Sequence, residues 1–67
     1  MPTRFKQFQT VTLLEDLPEH GLKAGARGTV LEELTNPHLA YEVEFADGHG
    51  RTLALLHLAP QKITDAT

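Results

Sequence analysis

Leu39-Ala40-Tyr41-Glu42-Val43-Glu44-Phe45-Ala46, followed at once by Asp47-Gly48-His49-Gly50, is the stretch on which the fold turns. Tyr41, Val43 and Phe45 alternate with Glu42 and Glu44 without a fault, the period of a strand with one dry face and one wet face. Asp47-Gly48 is a hairpin signal, so the chain should return antiparallel over Arg51 to His57. In that return strand Leu53 and Leu55 are expected in register with the core face.

The same reading extends in both directions. Upstream, Gln9 to Glu15 is β-branched and alternating, with Val11 and Leu13 on one face and Thr10 and Thr12 on the other. Gly28 to Leu34 is also a strand, but Val30 and Leu31 are adjacent apolar residues and Glu32 and Glu33 follow together, which predicts a bulge or sharp bend. Thr35-Asn36-Pro37-His38 is a turn by composition. Downstream, His57 to Pro60 reads as one tight 3₁₀ turn, and Gln61 to Thr64 as a last short strand carrying Ile63. No window free of glycine or proline sustains the three- and four-residue apolar spacing of a helix.

Between the first two strands, Asp16 to Arg27 is a long loop. Pro18 fixes its own φ and pushes Leu17 toward extended geometry, while Gly21, Gly25 and Gly28 break any regular element. Leu17 and Leu22 are its only large apolar residues, and they should pin it to the body of the protein. The sum is an all-β fold: a small five-stranded SH3-like barrel with a long loop after the first strand. Residues 1–8 are expected to be a flexible N-terminal arm, residues 9–64 the barrel and residues 65–67 a tail. Val11, Leu13, Val30, Val43, Phe45, Leu53, Leu55 and Ile63 are the expected interior.

The chain has 67 residues and no cysteine. A domain this small buries only about 60% of its unfolded surface, and without disulfides or thiolate zinc ligands it is expected to lean on a partner or on copies of itself. Six Lys and Arg stand against nine Asp and Glu, for a formal charge of −3, the wrong sign for gripping phosphates nonspecifically. From Gly28 to Gly50 there is no Lys or Arg, whereas Glu32, Glu33, Glu42, Glu44 and Asp47 all fall there. Neither a signal-peptide core nor a run of about 18 apolar residues occurs, so the expected location is cytoplasmic.

Several chemistries are weighed and set aside. The glycine spacing of the loop lacks the Gly-Lys-Ser/Thr ending and the following helix of a phosphate cradle. His20, His38, His49 and His57 lie in separate connections with no His-x-x-x-His pair, so neither a metal nor a cofactor is expected. Paired carboxylates need a desolvated pocket to separate their pKa values, and a filled barrel of this size leaves none. The expectation is a non-enzymatic protein.

Asp16-Leu17-Pro18-Glu19-His20-Gly21-Leu22, then Gly25, Gly28-Thr29-Val30 and Tyr41 to Phe45, resemble an uncharacterised family of short bacterial proteins known as a domain of unknown function. The likeness covers roughly Thr10 to Ile63. It implies an SH3-like barrel encoded as a free-standing chain, with gene neighbourhoods that point to a companion of toxin or toxin-like type. More distantly, the loop leading into Gly28-Thr29-Val30 is similar to the KOW motif of ribosome- and transcription-associated barrels, which are typically basic there. It also looks like the SH3-like subunits of nitrile hydratase and ferredoxin–thioredoxin reductase. None of these supplies a catalytic residue.

The expected function is therefore that of a small acidic interaction module binding a companion protein, as the neutralising or accessory partner of a toxin-like or enzymatic protein. Asp16, Glu19, His20, Lys23 and Arg27 of the loop and Glu32, Glu42 and Glu44 of the strands are the expected contact surface. The alternatives are a KOW-like nucleic-acid binder using Lys23, Arg27 and Arg51, or a structural subunit of a larger enzyme.

Overall fold

The computed structural model describes residues 4–66. Its strands are β1 (Thr10–Leu13), β2 (Arg27–Leu34), β3 (Ala40–Ala46), β4 (Thr52–Leu58) and β5 (Ile63–Asp65), joined in one antiparallel sheet of order β4-β3-β2-β1-β5. A 3₁₀ turn, Pro60–Lys62, leads into β5. This is the topology of a small SH3-like barrel, as the sequence pattern implied. β2 is its pivot, pairing β1 through its first half and β3 along its length, and its register slips between Val30 and Glu32. The slip falls where the adjacent Val30 and Leu31 broke the alternation, and the extra residue bends the strand so that it can serve both halves of the barrel.

Glycine at position 28 is demanded by packing. A Cβ there would come within 2.6 Å of Val43 Cγ1 and 2.9 Å of Phe45 Cε1, both deep in the core. Around this contact the buried set is Val11, Leu13, Val30, Tyr41, Val43, Phe45 and Ile63, closed by Phe5, Leu22 and Leu58.

β4 differs from expectation. Phe45 pairs with Ala54, Val43 with Leu56 and Tyr41 with Leu58, so Ala54, Leu56 and Leu58 take the inner face. Leu53 and Leu55 point outward and are 56% and 53% exposed. The cause is a register shift at the hairpin: Ala46 pairs with Thr52 and Phe45 with Ala54, which leaves Leu53 as an extra residue. A one-residue offset exchanges the two faces of a strand. In Leu53-Ala54-Leu55-Leu56 either face is apolar, so hydrophobic alternation does not choose between them.

The long loop carries local structure of its own. Leu17 and Leu22 exchange backbone hydrogen bonds of 2.9 and 3.1 Å around a 3₁₀ turn at Pro18–His20, and Gly21 closes that turn in the left-handed region. Leu22 is buried and Leu17 packs against the core, the pinning expected of them. The Asp16 carboxylate accepts the Ala24 N–H at 2.9 Å and closes the loop from within.

The N-terminal segment also departs from expectation. Residues 1–3 lie outside the described range, but residues 4–8 are docked rather than frayed. Phe5 is 4% exposed and meets the Tyr41 ring edge-on at 5.2 Å. The Phe5 N–H donates to the Tyr41 hydroxyl, which donates in turn to Glu33, and Arg4 grips the same carboxylate with Nε and Nη2 at 3.0 and 2.9 Å. A buried aromatic and a satisfied polar relay hold the segment down. At the other end, Asp65 belongs to β5, where the tail was expected to begin, and Ala66 N–H reaches Thr10 O; Thr67 is outside the described residues.

Phe8 sits in an unusual conformation. Gln9 N–H closes a turn onto Lys6 O, and Phe8 N–H donates to Val30 O while Val30 N–H donates to Gln9 O, so two residues oppose one. The first residue of such a bulge takes a left-handed conformation, normally as glycine. Here it is Phe8 at φ +69, with its ring 69% exposed. A β-carbon in that region costs on the order of 1 kcal/mol, and the exposed ring recovers little by burial. Phe8→Gly should therefore stabilise the protein by about 1 kcal/mol, read as a higher urea midpoint with unchanged m-value; a lower midpoint would show that the ring is needed for packing.

Candidate interaction surface

The expected contact residues fall on the long loop and on the outer face of β2 and β3, and Arg27 adjoins both. Glu19 and His20 are exposed on the 3₁₀ turn of the loop, Lys23 is exposed further along it, and Arg27 opens β2 opposite Thr12. Asp16 faces its own loop. Glu32, Glu42 and Glu44 lie on the outer face of β2 and β3. Arg27 is two positions from Thr29 on β2, and Thr29 pairs with Glu44, so Arg27 and Glu44 share one stretch of the outer face, while Glu32 stands farther along β2 and Glu19, His20 and Lys23 stay on the loop.

On the sheet, Glu32 stands directly across from Glu42, a like-charge pair that destabilises the isolated sheet slightly. Glu42 turns to β4, where His57 Nε2 lies 3.2 Å from Oε2. Glu44 does likewise and accepts a hydrogen bond from the Thr52 hydroxyl. Both carboxylates thus lie toward β4, on either side of the exposed Leu53 and Leu55. These two leucines belong to the surface and were assigned by sequence pattern to the interior; only the hairpin register could have revealed them.

The cations are mostly occupied or dispersed. Arg4 pairs with Glu33, Arg51 with Asp47 at 3.0 Å, and Lys62 with Glu15 at 2.6 Å. Of Lys23, Arg27 and Arg51, the trio that a nucleic-acid binder would use, one is therefore already neutralised. A shallow depression of about 130 Å³ lined by Thr10, Arg27, Gly28, Thr29, Glu44 and Ala46 indents the outer face, well under the roughly 300–1,000 Å³ of small-molecule sites. Among the described residues no three His, Asp or Glu side chains converge as a metal site would require. Among the described residues Phe5, Tyr41 and Phe45 are buried and Phe8 is the single exposed aromatic, too little to make the aromatic groove that takes proline-rich peptides. No helix among the described residues is long and apolar enough to cross a membrane.

A family model matches residues 7–65. The chain belongs to DUF4926, a domain of unknown function. The match takes in all five strands and the long loop, and carries with it no activity, ligand or partner. No curated protein and no solved structure matches the chain.

Two carboxylates of this DUF4926 domain have shifted affinities for protons. The Arg4 side chain holds Glu33 below the usual carboxylate range, helped by the Tyr41 hydroxyl. Backbone N–H groups of Arg51 and His49 do the same for Asp47, and the Arg51 side chain adds to the effect. Depressed values mean that the unfolded chain binds more protons, so this stability is complete above the ordinary carboxylate range near pH 4 and is lost as pH falls through the lower folded values. Urea midpoints should fall between about pH 4 and pH 2, and Glu33→Gln with Asp47→Asn should flatten that fall; an equally steep fall in the double variant would place the acid sensitivity elsewhere.

Proposed function

We propose that this domain is a protein-interaction module that engages a basic companion protein through the outer face of β3 and β4. It acts as the accessory or neutralising partner of a toxin-like or enzymatic protein and has no catalytic activity of its own. The observation that carries this reading is the placement of Glu42 and Glu44, leaning onto an edge strand whose Leu53 and Leu55 are exposed. Apolar contact area framed by one sign of charge supplies both affinity and steering. The Glu32–Glu42 repulsion adds a gain, because a cation arriving at that point removes a cost the free domain bears.

The loop residues Glu19, His20 and Lys23 supply a second and smaller contact, joined to the first by Arg27, which lines one depression with Glu44. They are exposed and of mixed sign, so they suit recognition of a shaped surface better than steering.

Capture from native cell extract on the tagged domain, followed by mass spectrometry, tests the reading. One stoichiometric basic protein is expected, with its affinity reduced about tenfold or more by Glu42→Lys with Glu44→Lys. Unchanged affinity in that variant would remove the acidic face from the interface. Capture that nuclease treatment abolishes would replace the reading with a KOW-like RNA binder, and a partner enzyme inactive without this domain would identify a structural subunit.

A further inference from the structure

We propose that the free edge of β4 receives an extended segment of the partner, alternating basic and apolar residues, as a sixth strand of the sheet. The inference rests on the companion-protein reading and specifies how that contact is made.

The two edges of the sheet are built differently. β5 spans Ile63–Asp65 and ends in a charge, the short and charged construction that discourages pairing. β4 spans Thr52–Leu58 and contains no Lys, Arg, Asp, Glu or Pro. Among the described residues it is bonded to β3 alone, so alternate N–H and C=O groups along it face solvent. Apart from the extra residue at Leu53, it has none of the devices that guard an open edge.

The side chains around that edge state what fits it. On the outer face an added strand would run beside Leu53 and Leu55, about 4.8 Å away. Beyond them stand Glu44 and Glu42, already drawn toward β4 by Thr52 and His57. Lys or Arg side chains suit this arrangement, since their methylene stems cover leucine while their heads reach the carboxylates. On the inner face the added strand would meet Ala54 and Leu56, which are half-buried and pack against the core, and apolar side chains extend that margin. Outer and inner positions alternate along a strand, so basic and apolar residues must alternate in the segment.

A second copy of this chain is the poorer occupant. Its own β4 would bring no cation to Glu42 and Glu44, and antiparallel pairing of two such strands would gather four carboxylates on one face.

A short fluorescent peptide alternating Lys and Val tests the assignment by anisotropy at low salt, against the same peptide N-methylated at alternate amides and one with Glu in place of Lys. Expected are binding of the Lys–Val peptide, at least about tenfold weaker binding after N-methylation, none by the Glu peptide, and new hydrogen-exchange protection within Thr52–Leu58. Equal binding of the N-methylated peptide would overturn strand addition and leave docking by charge intact. No binding of either Lys peptide would also overturn it, and the companion-protein reading would still be decided separately by capture with and without the Glu42→Lys and Glu44→Lys changes. A dimer of the free chain in sedimentation, with β4 amides protected, would assign the edge to a second copy and overturn the proposal.

Discussion

Everything in this small barrel depends on how closely β2 approaches the core side of β3. At Gly28 the backbone lies where any Cβ would collide with Val43 and Phe45, so the two largest inward residues of the second half of β3 fill the space a side chain would have taken. The bend after Val30 then carries the strand around the remaining core. With β2 fixed, β1 and β5 are placed on one side and β3 and β4 on the other, and the dense contact expected of a protein interior is reached with few large residues.

This construction explains the distribution of surface chemistry. A core built mainly from β1, β2 and β3 uses most apolar residues of those strands inward and leaves their outer faces mainly to Thr and Glu, with Arg27 at the start of β2. β4 lies at the margin of the core, with inner residues that are half-buried except Leu58. Its outer leucines are therefore surplus to the interior. The N-terminal segment, by contrast, contributes Phe5 to the core and spends Arg4 on Glu33. Glu33 pairs with Tyr41 and so points to the opposite face from Glu32, which leaves Glu32, Glu42 and Glu44 as the carboxylates of the outer face.

Much of this was legible in the chain, because the relevant signals are local. The alternation of Tyr41, Val43 and Phe45, the Asp47-Gly48 hairpin and the adjacent Val30 and Leu31 each report short-range geometry. The docking of Phe5 was not legible, since it depends on Tyr41, 36 residues away. The outward face of Leu53 and Leu55 was hidden for another reason: four apolar residues in succession carry no alternation, and only the hairpin register selects a face. For the candidate site, the acidic character of β2 and β3 was evident from composition. The leaning of Glu42 and Glu44 onto β4 required the pairing itself, as did the placing of Arg27 beside Glu44. Phe8 read as part of an unpatterned arm because its left-handed bulge is a position where sequence alone anticipates glycine.

The central claim is that β4 is an open edge in the free domain, flanked by carboxylates. Residue-resolved amide hydrogen exchange of the isolated, dilute protein at neutral pH tests it most directly. The account predicts fast exchange at alternate amides of Thr52–Leu58 and slow exchange at those between them, which bond to β3. Uniform protection along the strand would contradict it, because the edge would then already be covered within the molecule or by another copy.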